Sequence, residues 1–103
     1  MESSCSASEL FALQVLGDSM VPEFADGCII VVDPGGVIEH GSYVVARHNE
    51  EYVFRQLAIE ADRYYLRPLN PSHESYEING LDAVHGVVVQ QAGRRRRDHK
   101  SYI

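Results

Sequence analysis

The chain has 103 residues, 45% of them hydrophobic, with nine Lys and Arg against fifteen Asp and Glu for a formal net charge of −6. That is the size and composition of one globular domain with a core of its own. No apolar run approaches the length of a membrane span, and the acidic, polar start has no basic-then-apolar pattern of a secretion signal, so the cytoplasm is the expected location. Two cysteines, Cys5 and Cys28, make neither a disulfide framework nor a metal spacing, and no cofactor is expected.

The charge is unevenly spread. Residues 94–100 hold Arg94, Arg95, Arg96, Arg97 and Lys100 against Asp98, a net of +4, which leaves −10 for the remainder. An acidic body repels phosphate backbones, so nucleic acid is expected only at the arginine run, if anywhere. These features divide the chain into a flexible N-terminus over 1–9, a domain over 10–91 and a basic tail over 92–103.

Turn residues recur every 8 to 12 positions, the rhythm of an all-β fold. Leu10 to Leu16 is an apolar run stopped by Gly17. Met20 to Phe24, with Pro22 at a first-turn position, predicts one short helical turn. Ala25-Asp26-Gly27 reverses the chain into Cys28-Ile29-Ile30-Val31-Val32, a β-branched buried strand ended by Asp33-Pro34-Gly35-Gly36. Ser42 to His48 and Glu51 to Ala58 read as strands joined by a tight hairpin at Asn49-Glu50. Tyr64-Tyr65-Leu66 is a further strand. Asn70-Pro71-Ser72-His73 and Asn79-Gly80 are turns, and Ala83 to Gln91 closes the domain. That long apolar closing strand is the expected edge for pairing in a homodimer.

One constellation carries chemistry. Gly17-Asp18-Ser19-Met20 places a serine on a sharp strand-to-turn junction, where its hydroxyl can be exposed and the Asp18 and Ser19 amides can converge as an oxyanion hole. The plainer reading of the same four residues is a serine capping a turn. Asp18 itself is expected to point away from Ser19 as a turn former.

In order and with sensible gaps, Phe11 to Leu13, Gly17-Asp18-Ser19-Met20, Pro22, Asp26-Gly27, Ile30 to Asp33, Gly41, Val44 to Arg47, Glu51 to Leu57, Leu66-Arg67-Pro68-Leu69-Asn70 and Gly86-Val87-Val88 resemble one family. It is the C-terminal domain of the self-cleaving LexA, UmuD and phage-repressor serine peptidases, over about Leu10 to Gln91. The resemblance implies a mostly β fold shared with signal peptidases, of small twisted sheets or a partial barrel. It also implies a homodimer and a serine-lysine dyad that cuts a peptide bond. The nucleophile falls on Ser19 and the general base on Arg55.

That departure is severe. A buried lysine can lose its proton and accept another from serine, whereas an arginine stays charged and has no acceptor nitrogen. The dyad therefore reads as broken. The five histidines, His40, His48, His73, His85 and His99, are the substitutes by type; the hairpin and tail positions of His48 and His99 disfavour both. On its strand Arg55 shares a face with Val53 and Leu57, and pairing with Glu51 or Asp26 would explain it without function. In the family's cleft its guanidinium would instead seek an anion or a carbonyl, making the cleft a peptide or carboxylate binder. Neither a helix-turn-helix reader nor an upstream Ala-Gly or Cys-Gly cleavage segment is expected, the one Ala-Gly pair being Ala92-Gly93. The expected protein is a stand-alone, catalytically impaired member acting in dimerisation or regulatory protein interaction, in a phage-repressor or SOS-type setting. Its rivals are an active peptidase using Ser19 with another base, and a nucleic-acid-associated regulator using Arg94–Arg97.

Overall fold

The structure, a computed structural model, describes residues 9–92 and 100–102. The predicted strands, together with two that the sequence reading did not include, form one antiparallel sheet that stays open instead of closing into a barrel. In chain order they are β1 (Phe11–Gln14), β2 (Ile29–Asp33), β3 (Tyr43–His48), β4 (Glu51–Glu60), β5 (Arg63–Arg67), β6 (Tyr76–Ile78), β7 (Val84–Ala92) and β8 (Lys100–Ser101). Across the sheet the order is β1-β2-β7-β3-β4-β5-β6, with β8 also paired to β7.

Period-two alternation explains how this sheet is buried. Side chains at successive strand positions point to opposite faces. Val45 and Val88 accordingly join a cluster with Val15, Met20, Phe24 and Ile30, while their neighbours Val44 and Val87 join a second with Leu57, Leu66 and Ile78. The central strands are therefore covered on both faces. This is why their sequences read as continuous apolar runs and not as polar-apolar alternation.

The expected hairpin between β3 and β4 is present, with Asn49 and Glu50 both at positive φ, 52° and 67°. That pair of left-handed residues matches the twist of the flanking strands. A second such turn, at Ala61 (φ 49°) and Asp62 (φ 70°), joins β4 to β5.

Two expectations are corrected. β7 is not an edge: β2 pairs along one side of it, and β3 and then β8 along the other, so it has no free side to offer a second copy. Met20 to Phe24 does form the expected single turn, closed by Phe24 N–H donating to Met20 O at 2.9 Å, with Val21-Pro22 cis; a 3-10 turn at Leu81–Ala83 is the one assigned helical element among the described residues. Lys100, read as part of a polar tail, lies in the sheet opposite Gln91. The Arg94–Arg97 run lies outside the described residues.

Tyr102 fastens this last segment. Its backbone N–H donates to Val89 O at 2.7 Å, and its ring packs on Phe24 and Tyr43 with centroids 5.4 and 5.3 Å apart. Its hydroxyl donates to Glu23 Oε2 at 2.6 Å and accepts from Gln91 Nε2 at 2.7 Å. Lys100 Nζ reaches the same Glu23 oxygen at 3.1 Å.

Candidate functional site

Ser19 occupies the turn between β1 and β2. Gly17, at φ 98°, makes the bend, and its N–H donates to Asp26 Oδ1 at 2.8 Å, tying the two ends of the loop. Val15 N–H donates to Cys28 O and Gly27 N–H to Val15 O, so the pairing of β1 with β2 continues towards the turn. Met20 and Phe24, both fully buried, anchor the far side. The sequence thus folds Ser19 between an apolar anchor and a glycine bend, half-buried at the surface.

A second loop holds the turn from above. Asn70 N–H donates to Ser19 O, and Asn70 Nδ2 to Asp18 O, each at 3.0 Å. Asn70 is itself set by local turn bonds, Ser72 N–H to its Oδ1 and His73 N–H to its carbonyl. His73 Nε2 meets Asp18 Oδ1 at 2.6 Å. Asp18 is therefore more than a turn former: one loop grips it and its neighbour at three points. The motif reading missed this clamp, because 52 and 55 residues separate its partners.

Arg55 comes from the middle of β4. It is 8% exposed, on the face of the sheet that also carries Val53 and Leu57, as the alternation predicts. Its Nη1 donates to Ser19 Oγ at 3.1 Å and to Phe54 O at 2.9 Å, and its Nε to Glu74 O at 3.4 Å. Its Cζ lies 5.3 Å from the centre of the Tyr76 ring, which stacks in turn on His48. Glu51 and Asp26, the carboxylates that would have made Arg55 a plain ion pair, do not partner it. Every hydrogen-bond acceptor it has among the described residues is electrically neutral.

The structure thus brings together the two residues that sequence reasoning placed at the nucleophile and base positions, across 36 residues of chain. It brings none of the substitute bases to Ser19 Oγ among the described residues. His73 is engaged by Asp18, His40 Nδ1 accepts from Ile59 N–H at 2.9 Å, His48 stacks on Tyr76, and His85 packs edge-on against Tyr52. His99 lies outside the described residues. No group of three or more His, Cys, Asp or Glu suited to a metal ion occurs among the described residues, and no helix there is long and apolar enough to cross a membrane.

Beside the pair lies a groove of about 280 Å³. The end of β1 and its continuation, Leu13 to Leu16, form one wall; Tyr52 to Arg55 of β4 form the other; Ile30 and Val45 lie beneath.

The chain thus presents a small open β-sheet with a glycine-bent serine turn facing a basic residue of a long strand. Its sequence matches the Peptidase S24-like family over residues 1–89, and the chain belongs to that family. It is 44% identical over 90 residues to the HTH-type transcriptional regulator for conjugative element R391 of Providencia rettgeri, covering 78% of this chain and 40% of that protein. It is 41% identical over 91 residues to Repressor protein C2 of Salmonella phage P22, covering 82% and 42%. With the LexA repressor of Syntrophotalea carbinolica it shares 37% over 86 residues, covering 81% and 43%. The chain spans about two fifths of the length of these relatives. The resemblance to the LexA and phage-repressor domain is borne out, as is the mostly β fold.

Proposed function

We propose that this chain is a regulatory S24-type domain in which Ser19 no longer cuts peptide bonds, and that it works by binding another polypeptide. The observation that carries the reading is the 3.1 Å hydrogen bond from Arg55 Nη1 to Ser19 Oγ. A guanidinium in that position supplies protons and accepts none. The serine hydroxyl is left as a hydrogen-bonded alcohol, a weak nucleophile at neutral pH. The Asp18 and Ser19 amides, if they converge as the sequence leads one to expect of an oxyanion hole, would stabilise a charge that no base helps to create.

The relatives, a transcriptional regulator and two repressors by name, support a regulatory setting for the reading. A homodimer is the second part of the proposal. With β7 paired on both sides, it must form through a different surface.

The test is incubation of the protein alone, and with a cleavable substrate of the family, from pH 7 to pH 10, with products read by mass spectrometry. The expected result is intact protein and intact substrate throughout. Cleavage that disappears in Ser19→Ala overturns the reading. Sedimentation velocity at several concentrations tests the dimer, and a monomer throughout removes that part.

A further inference from the structure

We infer that the groove beside Ser19 and Arg55 receives the free carboxyl end of a polypeptide with an apolar last residue. The inference rests on the reading that Ser19 has no base, since the ligand must survive in the groove uncut.

The first ground is an uncompensated buried charge. A guanidinium removed from water is costly unless a counter-charge or a full set of hydrogen bonds replaces the hydration. Arg55 has no carboxylate within ion-pair distance among the described residues, and its acceptors are two carbonyls and a hydroxyl, reached through Nε and Nη1. Nη2 has no acceptor among the described residues. Ser19 Oγ accepts from Arg55, which leaves its own O–H to donate. A carboxylate takes both: one oxygen on Nη2, the other on the serine hydroxyl.

The second ground is what surrounds that charge. Leu13, Leu16 and Tyr52 line the same groove and stand 39%, 82% and 63% exposed. Exposed apolar walls around one cationic point suit a ligand with an apolar side chain next to an anion. At about 280 Å³ the space is small for a ligand site, so it fits a chain end better than a folded segment. Among the described residues β1 lies at the edge of the sheet and runs into the groove, offering a strand edge to an extended ligand strand.

The experiment uses the full chain and two short fluorescein-labelled peptides that end Ala-Leu-Leu, one with a free carboxyl and one amidated. Binding is followed by fluorescence anisotropy, and integrity of the peptides by mass spectrometry. The free acid is expected to bind at least about tenfold more tightly than the amide, the size of a charge-assisted hydrogen bond. Arg55→Gln is expected to erase that difference. Leu16→Glu, a change at a mostly exposed side chain that leaves the core intact, is expected to weaken the free acid at least about tenfold by placing a like charge on the wall. Equal binding of acid and amide, binding of neither, or displacement of the acid by millimolar inorganic phosphate overturns the inference. If the acid is preferred but the peptides are cut, the inactive reading fails and the carboxylate site stands. If nothing is cut and nothing binds, the carboxylate site fails and the inactive reading stands.

Discussion

Tyr102 donates its hydroxyl hydrogen to Glu23 across 2.6 Å, joining the residue that follows β8 to the turn that follows Ser19. The bond holds the Glu23 carboxyl below its ordinary value; the Lys100 ammonium adds to this, and partial burial opposes it. Burial first, and then the Glu23 acceptor, push the Tyr102 hydroxyl well above the tyrosine range.

The first prediction follows from the sign of that linkage. A carboxyl whose folded pKa is depressed contributes stability that is present above its unfolded value, here 4.5, and is lost as pH falls through the folded value. Thermal melts of wild type should therefore decline below pH 4.5, and those of Tyr102→Phe should start lower and decline less steeply. A loss of about 1–2 kcal/mol near neutral pH is expected from the missing hydrogen bonds. Parallel wild-type and variant curves across that range would remove Glu23 as the partner that matters.

Arg55→Lys replaces a permanent cation with an amine that can shed its proton when buried. Labelling of Ser19 by a fluorophosphonate should rise with pH in this variant and stay near background in wild type, with a gain of at least about tenfold at pH 9. Equal labelling of the two proteins would mean that a proton acceptor other than residue 55 serves Ser19.

Asn70→Ala removes the side-chain donor to Asp18 O and the acceptor for Ser72 N–H while keeping the backbone donor to Ser19 O. A loss of about 1–3 kcal/mol in chemical denaturation is expected. Hydrogen exchange should show faster opening of residues 17–20 and 70–73 than of β3 and β7.

A Cβ at Gly86 would collide with Val32 Cγ1, where β7 packs close to β2. Gly86→Ala should therefore cost about 1–3 kcal/mol in denaturant, with compensation from Val32→Ala. Additive losses in the double variant would show that the two sites are independent.

Ala61 and Asp62 carry a turn whose positive φ values suit asparagine and glycine better. Replacing the pair by Asn-Gly should stabilise the chain by about 0.5–1 kcal/mol without touching the groove.

Much of this was legible in the residues, and the gaps have physical causes. The Asn49-Glu50 hairpin was readable because its two short-range strands and its turn lie within one stretch of sequence. Ser19 and Arg55 could be linked because each sits in a recognisable motif. Strand order was not readable: alternation tells which side chains share a face but not which strand lies beside which. β7 was therefore taken for an edge. The grip of Asn70 and His73 on the serine turn was hidden for a related reason, since turn chemistry at 70–73 announces a bend and not its distant partner. Lys100–Ser101 is too short for a periodic signal and was masked by the charges before it.

The sheet order has a further consequence for how the protein is made. The ribbon of β1 and β2 and the ribbon of β3 to β6 are each contiguous in sequence, yet among the described residues their strand pairing is joined only through β7. A ribosome must release Val84 to Ala92 before the two ribbons can be joined into one sheet. Until then a nascent chain exposes two unzipped flanks, and the serine turn and the arginine strand it faces remain on separate pieces of polypeptide.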